Sequence, residues 1–486
     1  MSLVLALDIG TSSARTALFD EGAQRLPGTT AQKAYPLITS DEGAAEIDPA
    51  VLLRAVRGCL EETIGAWRGN RDLRGRAAAG LATSCFWHSL IGCDAKGRPL
   101  TRIITWADAR CRDDAAKLRE RMAEKEAHKR TGCMLRSSFW PAKLLWLHRT
   151  ERRIFARVKK WMSPAEWLQL MLVGEANCAI GMATGTGLLD PTKLDWDPAM
   201  LKVCRLRRAD LRALSDEPSV VGGRLARDFP ELRGRPWFPA IGDGAASNLG
   251  SGATRPGLAA INVGTSAALR VMREGPVARA PFGLFCYRVD ARRFLVGGAV
   301  SNAGNLRAWC LRELKLPDEQ ALEEELAQRP GPAQNLTVLP FWTAERAPTW
   351  NEEQTGVIHG LTQHTTAIDM IQAITDATYH RLRRIADMVL AKDEPRTKFI
   401  VSGGIHHSPA AVQRLADVLG HPVHPNHEPE ASLRGAAIYA LEKLGATIRN
   451  APLEKVVRPR MRWAREHAAA RSAQLALEAL LSSREL

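Results

Sequence analysis

The chain has 486 residues, of which 45% are hydrophobic and 25% charged, with a formal net charge of +14. This length exceeds what one hydrophobic core supports and predicts two domains of roughly 200–250 residues. The sequence opens without a secretory signal, and its nine cysteines include no Cys-x-x-Cys pair, so we expect a cytoplasmic protein with free thiols rather than a disulfide or zinc protein.

The positive charge raises nucleic acid as a partner. Basic residues cluster at residues 149–160, predicted to lie on one helical stretch, and again at residues 205–212. Neither cluster has the interleaved aromatic residues of an RNA-binding surface, so we expect solvated faces and no nucleic-acid partner. The uncharged run 77–93 contains histidine, threonine and serine, so no membrane span is expected either.

Residues 3–7 predict a buried strand, residues 16–19 predict its partner, and the polar residues between them predict a hairpin tip. Such a tip can direct backbone N–H groups and hydroxyls at an anion such as a phosphate. Asp8, at the end of the first strand, can bind a hydrated Mg²⁺ beside it. A plain hairpin without a ligand uses the same residue types. The tip residues are Gly10, Thr11 and Ser12.

Residues 46–67 predict an amphipathic helix, and residues 76–86 and 102–105 predict two strands. Each strand leads into a tryptophan followed by a polar side chain. An aromatic ring covering C–H faces beside groups that bind hydroxyls is a usual way to bind a sugar-like ligand. Packing of the tryptophans in the core is the alternative. The predicted substrate residues here are Trp87, His88, Trp106 and Asp108.

Residues 111–130 predict one charged surface helix, and a further helix is predicted to begin near Pro141. Asp243 lies between two glycines just before a run of small residues. That surrounding leaves room for a substrate, so we interpret Asp243 as a general base. A helix N-cap is the alternative interpretation.

Residues 261–268 repeat the pattern of residues 7–14, which gives a second candidate phosphate hairpin. Two such hairpins half a chain apart suggest two related lobes facing each other, although a short pattern can recur by chance. The pair resembles the actin-like ATPase superfamily, in which two hairpins bind the phosphates of one ATP. The second tip consists of Gly264, Thr265 and Ser266.

Small residues including Gly304 follow a predicted strand at 294–300, and residues 354–361 are predicted to form a loop. A capping box at residues 366–369 predicts the start of a long helix. The strand 399–402 ends in Gly403 and Gly404, which allow a nucleotide to approach the backbone. Ser408-Pro409 predicts a helix that ends at Gly420. A terminal amphipathic helix is predicted from residue 458.

Three histidines follow at residues 421, 424 and 427, at a spacing that suggests a metal site. Prolines at 422 and 425 break any helix that would align them, so we interpret the segment as a solvated loop. The sequence lacks the phosphate-loop, dinucleotide-binding and protein-kinase signatures. Phosphates must therefore be bound by the hairpins.

Taken together, the residues resemble the FGGY family of carbohydrate kinases as far as about Leu444. The most specific match is residues 356–361 followed by Asp369-Met370, although Thr375 stands where an apolar residue is usual. Residues 143–147 resemble the core of the family's first signature, with Trp140 where a small residue or proline is expected. Within the family, residues 183–197, 237–250 and 340–351 look most like gluconate kinases.

The resemblance implies an α/β fold of two ribonuclease-H-like domains, as in actin-like ATPases, that face each other across an ATP and substrate cleft. The predicted boundaries are 1–242, 243–455 and a helical tail at 456–486. The family resemblance also implies that Asp8 and Asp243 bind Mg²⁺ and that Asp243 is the catalytic base. It implies that both hairpin tips bind ATP together with Gly304, Gly403 and Gly404. Trp87, His88, Trp106, Asp108 and Asp243 would bind the sugar.

We therefore predict ATP-dependent phosphorylation of a sugar or sugar acid, with D-gluconate to 6-phosphogluconate as the expected reaction. Another polyol or ketose kinase, such as a xylulose kinase, is the nearest alternative. An ATP-driven binding module would need a client-binding domain, and only about 40 residues follow Leu444. Arg110 and Arg136 are the candidates to meet a substrate carboxylate, and a homodimer is possible.

Overall fold

The structure is a computed structural model that describes residues 2–329, 331–333, 335–390, 397–449, 453 and 456–482. Its strands are β1 (Ser2–Ile9), β2 (Ser13–Phe19), β3 (Ala31–Ala34), β4 (Ile38–Thr39), β5 (Ala45–Ile47), β6 (Ala77–Cys85), β7 (Ile91–Cys93), β8 (Ile103–Ile104), β9 (Lys160–Met162), β10 (Leu189–Asp190), β11 (Asp195–Trp196), β12 (Ser219–Val220), β13 (Pro236–Trp237), β14 (Ile241–Gly242), β15 (Leu258–Val263), β16 (Ala267–Glu274), β17 (Phe285–Arg288), β18 (Arg293–Val300), β19 (Thr337–Leu339), β20 (Val357–His359), β21 (Lys398–Ser402) and β22 (Val423–Pro425).

The α-helices are α1 (Pro49–Gly69), α2 (Arg112–Arg121), α3 (Glu124–Thr131), α4 (Trp140–Thr150), α5 (Arg152–Arg157), α6 (Pro164–Val173), α7 (Ile180–Thr184), α8 (Pro198–Val203), α9 (Gly223–Asp228), α10 (Asp243–Ser251), α11 (Gly304–Glu313), α12 (Glu319–Gln328), α13 (Ala367–Val389), α14 (Pro409–Leu419), α15 (Ala431–Lys443) and α16 (Met461–Ser482).

Two main sheets organise the chain, and they share one topology. The first has the order β12-β13-β6-β1-β2-β3, with β14 also paired to β6, and the second has the order β17-β18-β16-β15-β21-β22. In each sheet an antiparallel hairpin, β1-β2 or β15-β16, is continued by a parallel strand, β6 or β21. The repeated hairpin motif is therefore part of a repeated α/β sheet.

Apolar residues account for these sheets. Strands β1 and β15 are almost wholly buried, because both faces of each sheet are covered by packed elements. Burying such runs supplies the dominant favourable term in folding. Each sheet is the centre of its own hydrophobic cluster.

Helices α10 and α15 cross at very short distance and pack on the first sheet. A Cβ atom added at Gly250 would lie 1.8 Å from the carbonyl oxygen of Ala431, and one added at Gly435 would lie 1.7 Å from that of Ala246. Helix α15, although late in the sequence, packs on β1 and β6 of the first sheet. The end of the chain's second half thereby supports the first hairpin, β1-β2.

Predicted helix ends are confirmed where local capping decides them. Thr366 and Asp369 form the capping box at the start of α13. Ser408 caps α14, which ends at Gly420 with a φ of 64°. All nine cysteines are free and buried. In the part of the chain that the structure describes, no helix is long and apolar enough to cross a membrane.

Several predicted elements were wrong. The helix at 46–67 begins only at Pro49, because Ala45–Ile47 forms a strand that pairs with β8. The helix at 111–130 is two helices, α2 and α3, that end and begin around residues 122–123. The basic stretch 149–160 is divided among the end of α4, the short helix α5 and the strand β9, so its cations do not share one helix face.

Two further corrections concern the C-terminal half. The loop predicted at 354–361 contains β20, which pairs with β19. The predicted solvated histidine loop contains β22, where His424 is buried beside β21. The terminal helix α16 is present, but its buried residues are polar, so it is not the amphipathic helix predicted. They are His467, Gln474 and Glu478.

Candidate active site

Two carboxylates meet where three strands of the first sheet end. Asp8 is opposite Ser84 on β6, and Gly242, which precedes Asp243, is opposite Cys85 on the same strand. Since β1, β6 and β14 are parallel, their carboxyl ends lie at one edge of the sheet. This register brings Asp8 and Asp243 to either side of β6.

Asp8 is 8% exposed, and its Oδ1 atom has no hydrogen-bond partner among the described residues. Burial, with a smaller contribution from the negative charge of Asp243, raises the pKa of Asp8 to about 6, while the adjacent Ser84 hydroxyl acts in the opposite direction. An unpartnered buried carboxylate oxygen beside a second carboxylate fits a divalent cation such as Mg²⁺.

Asp243 is the first residue of α10, and Gly242 occupies the N-cap position. The Oδ1 atom of Asp243 accepts a hydrogen bond from the backbone N–H of Gly244 at 2.8 Å. Burial raises the pKa of Asp243, while the nearby positive charge of Arg270 opposes this shift. The carboxylate lines a cavity, so it can contact a ligand there.

The glycines on either side of Asp243 make room for Trp87. A Cβ atom at Gly242 would lie 1.8 Å from the indole, and one at Gly244 would lie 2.8 Å from it. Gly185, on the opposite side, is equally close at 2.3 Å. The indole N–H of Trp87 donates to the Gly181 carbonyl at 2.9 Å. Trp87 therefore fixes the position of the Asp243 backbone as part of the cavity wall.

The cavity that Asp243 lines has a volume of about 210 Å³, and we call it the small cavity. It lies between the ends of the two hairpins, since Thr11 of the first and Ser266 of the second both line it. Its wall is mainly aromatic and cationic. Its other lining residues are Phe86, Trp87, His88, Trp106, Ser138, Phe139, Asn262, Ala267, Ala268, Arg270, Phe285, Tyr287, Ala299, Arg346 and Trp350.

His88 is placed in this wall in a fixed protonation state. Its Nδ1 atom lies 2.5 Å from the Gly185 carbonyl oxygen, which can only accept, so Nδ1 carries the proton. Burial lowers the pKa of His88 to about 3, so the ring is neutral at physiological pH. Phe139 and Tyr287 contact the ring edge-on. The Nε2 atom is therefore an acceptor available to a ligand hydroxyl.

Of the second pair of predicted substrate residues, only Trp106 lines the small cavity. Its indole N–H donates to the Thr11 hydroxyl at 3.1 Å, which joins the cavity to the first hairpin. Asp108 lies outside the cavity: its carboxylate accepts from the Ala45 N–H at 3.0 Å and from the Arg110 guanidinium. Its side chain orders the loop beneath Trp106.

Neither cation proposed for a substrate carboxylate lines the cavity. Arg110 pairs with Asp108 and Glu46, and Arg136 pairs with Glu124. Two arginines that the sequence reasoning missed, Arg270 and Arg346, line it instead. Arg270 interrupts the otherwise apolar run 267–272 of β16. A charged residue inside an apolar strand could have been recognised in the sequence as a candidate site residue.

Arg270 and Arg346 are half-buried, and their positive charges are close enough to repel each other. Burial lowers the pKa of Arg270, and burial together with the charge of Arg270 lowers the pKa of Arg346 to about 10. Arg346 donates to the Ser301 hydroxyl at 3.2 Å and to the Val300 carbonyl at 3.1 Å. Within the described residues no carboxylate lies within 4 Å of either guanidinium, and Asp243 interacts with Arg270 only at longer range.

The two hairpin tips are similar but not identical. Ile9 pairs with Ala14 across the first tip, whereas Val263 pairs with Ala267 across the second, so the second loop is one residue shorter. The N–H of Gly10 donates to Ser13, and the N–H of Gly264 donates to Ser266, both at 2.9 Å. The Tyr35 hydroxyl also donates to the Gly10 carbonyl.

A second, larger cavity of about 560 Å³ begins on the other side of the second tip, and we call it the large cavity. Gly264, Thr265, Gly304 and Gly404 line it. Helix α11 begins at Gly304, so its N-terminus, which favours anions, lies at this cavity. The size suits a nucleotide.

Glycines around the second tip have different roles. A Cβ atom at Gly304 would lie 2.5 Å from the Gly264 carbonyl, and one at Gly403 would lie 2.4 Å from the Val263 carbonyl. Gly403 also has a φ of +95° and does not line the large cavity, unlike Gly404. Gly304 and Gly403 thus allow close packing of the hairpin backbone.

A repeated sheet-and-hairpin unit, two carboxylates between the tips and a large cavity beside a small one define a two-domain phosphotransferase of the actin-like ATPase fold. Two family models match the chain. The model described as "FGGY family of carbohydrate kinases, N-terminal domain" matches residues 3–250, and the one described as "FGGY family of carbohydrate kinases, C-terminal domain" matches residues 259–442. The chain belongs to the FGGY family, whose members transfer phosphate from ATP to carbohydrates.

Relatives within the family include gluconokinases, xylulose kinases and glycerol kinases. A gluconokinase of Bacillus subtilis is 28% identical over 93% of this chain and 92% of its own. A xylulose kinase of Escherichia coli is 28% identical over 86% and 85%. Solved structures of a gluconate kinase and a xylulose kinase, both from Lactobacillus acidophilus, each match at a TM-score of 0.89 and 25% identity. They cover 99% of this chain, and 98% and 99% of their own chains, respectively.

Proposed function

We propose that this carbohydrate kinase phosphorylates a sugar acid, D-gluconate, at its terminal hydroxyl to give 6-phosphogluconate. The proposal rests on the position of the Arg346 guanidinium in the wall of the small cavity. This guanidinium lines the small cavity beside a second guanidinium, that of Arg270, and among the described residues Asp243 is the one carboxylate that lines the same cavity. A cavity with this excess of positive charge favours an acceptor that carries a carboxylate.

Under this proposal, Asp243 is the catalytic base. A sugar hydroxyl is a poor nucleophile, so Asp243 accepts its proton as the oxygen bonds to the γ-phosphorus of ATP. The bond from the γ-phosphorus to its bridging oxygen breaks, and ADP leaves. Mg²⁺, bound by Asp8 and Asp243, would neutralise phosphate charge. Most of the rate enhancement comes from alignment and charge neutralisation.

The remaining residues align the two substrates. His88 accepts a hydrogen bond from an acceptor hydroxyl through Nε2, while the indoles of Trp87 and Trp106 contact carbon faces. The tips at residues 10–12 and 264–266 donate to the phosphates from opposite sides, and Gly404 lies beside the nucleoside. In this arrangement residues 1–242 bind the sugar, residues 243–455 supply the base and the nucleotide site, and residues 456–486 form a tail.

The experiment is a coupled assay of ADP release with D-gluconate, xylulose and glycerol. We expect kcat/KM for gluconate to exceed the others by at least about 10-fold, which requires only about 1.4 kcal/mol. Arg346→Gln should lower kcat/KM for gluconate at least about 10-fold, as loss of a charge-assisted hydrogen bond does, and affect xylulose much less.

The matched control is Arg98→Gln, at an arginine whose side chain is 73% exposed and pairs with Asp94; this variant should behave as wild type. The FGGY relatives that are xylulose kinases make xylulose the second candidate acceptor. If xylulose were the better substrate and Arg346→Gln reduced activity on it equally, the sugar-acid proposal would be wrong.

A further inference from the structure

Residues 343–350, which we call the wall segment, carry two side chains of the small cavity, Arg346 and Trp350. The segment lies between the end of β18 and the helices α13 and α16. On the β18 side, Thr343 bonds with Asn302, and the N–H of Ala347 donates to the Ala299 carbonyl at 3.0 Å. These contacts fix both flanks of Arg346.

On the opposite side, the wall segment is bonded to the C-terminal helix through a charged network. Glu345 accepts from the Arg381 guanidinium of α13, and Arg381 also donates to Glu478 of α16 at 2.5 Å. Arg384 donates to the same Glu478 oxygen at 2.9 Å. Glu345 also accepts from the Thr349 hydroxyl within the segment.

This network is buried, with side-chain exposures of 3% for Glu345, 2% for Arg381 and 7% for Glu478. Burial raises the pKa of Glu345 to about 7, although Arg381 opposes that shift. Burying an ion pair costs desolvation free energy. Apolar side chains of similar volume in the same place therefore often stabilise a protein at least as much as the ion pair does. What the ions add is direction, because an arginine bonded at both ends has one position.

We propose that Glu478 is a positioning residue for the phosphate acceptor: through Arg381 and Glu345, the C-terminal helix fixes Arg346 in the wall of the small cavity. The inference rests on the proposed function only in that Arg346 meets the acceptor. A role for the terminal helix in acceptor binding also explains why its buried face is polar. The chain of hydrogen bonds from Glu478 through Arg381 to Glu345 links α16 to the residue that precedes Arg346.

The test compares substitutions on α16. Glu478→Leu removes the carboxylate oxygen that accepts from both Arg381 and Arg384, whereas Glu478→Gln retains an amide oxygen that can accept in the same place. We expect Glu478→Leu to raise the KM for the acceptor by about 10-fold, because small displacements of a binding group have large kinetic effects. The KM for ATP should change less than about 2-fold, and Glu478→Gln should retain most of the activity.

Gln474→Leu is the matched control. Gln474 lies one turn earlier on the same face, is 2% exposed, and donates to the carbonyls of Val338 and Ala377 instead of joining the network. We expect it to lower the Tm as Glu478→Leu does, without raising the KM for the acceptor. Equal KM changes in both variants would show that α16 acts only on stability and would overturn the proposal.

A double-mutant cycle identifies the route. If Glu478 acts through Arg346, then Glu478→Leu added to Arg346→Gln should give little further loss of kcat/KM for the acceptor. Independent, multiplying losses would overturn the positioning role. The cycle is run with whichever sugar proves the best substrate, so failure of gluconate as substrate leaves this test intact.

Discussion

Asp8→Asn should abolish catalysis and yet stabilise the metal-free protein, with a dependence on pH that the structure specifies. The carboxyl of Asp8 is 8% exposed, one of its oxygens has no partner among the described residues, and Asp243 is nearby. The folded state therefore resists ionisation of this group. Its pKa is about 6 when folded, against 3.8 for an unperturbed aspartate.

The magnitude follows from that difference. Because the folded-state pKa is raised, the carboxyl does not oppose folding below about pH 4, and its cost to the free energy of folding grows as the pH rises from 4 through 6. Each pKa unit corresponds to 1.36 kcal/mol, so the ionised carboxylate costs about 3 kcal/mol at pH 8. Replacement by a neutral amide should recover most of this, a rise in Tm of about 3–6 °C.

The assay is thermal unfolding of wild type and variant in EDTA at pH 4.5, 6 and 8. We expect the difference in Tm to be small at pH 4.5 and largest at pH 8. Adding Mg²⁺ and ATP should stabilise wild type more than the variant, as binding to the folded state requires. A Tm difference that does not grow with pH would refute the reasoning about Asp8.

Three further predictions concern the rest of the site. Asp243→Asn should lower kcat by about 10²-fold or more with ATP binding nearly unchanged, as loss of a general base does; near-normal kcat would exclude that role. Gly264→Val should raise the KM for ATP and leave the protein folded, because a Cβ atom at Gly264 would lie 3.9 Å from its nearest neighbours. Gly10→Val should raise the KM for ATP and also lower the Tm, because a Cβ atom at Gly10 would lie 3.1 Å from the Ser13 carbonyl oxygen. Normal ATP binding by a folded Gly264→Val variant would show that the second tip has only a structural role. His88→Ala should reduce kcat/KM for the acceptor far more than it changes the KM for ATP, since a hydroxyl of the acceptor loses Nε2 as its hydrogen-bond acceptor. An effect on the KM for ATP alone would show that His88 does not line the acceptor pocket.

The parts of the site that depend on local chemistry were predictable from sequence. The hairpin tips and the glycines around Asp243 use residues whose backbone requirements are visible over a few positions. Strand polarity then brought Asp8 and Asp243 together, because Asp8 lies near the end of β1 and Asp243 follows β14, and both strands are parallel to β6. The one-residue difference between the tips was not visible, since alignment of the motifs does not fix strand register.

The parts that depend on distant partners were not predictable. The sequence around Asp108 is typical of a sugar-binding site, but in the structure the Asp108 carboxylate accepts hydrogen bonds from Arg110, two residues away. Arg346 reaches the small cavity only because the wall segment packs against β18. The polar buried face of α16 lacks the apolar periodicity on which helix prediction relies, because its partners are charged residues of α13.

The central claim is that the small cavity selects an acceptor with a carboxylate, and one comparison tests it most directly. D-gluconate and D-glucitol have the same carbon chain and differ only in a terminal carboxylate or hydroxymethyl group. We expect kcat/KM for gluconate to exceed that for glucitol by at least about 10-fold in wild type, and this ratio to fall toward one in Arg346→Gln. Equal kcat/KM for the two acceptors in wild type, or a ratio that Arg346→Gln leaves unchanged, would contradict the account.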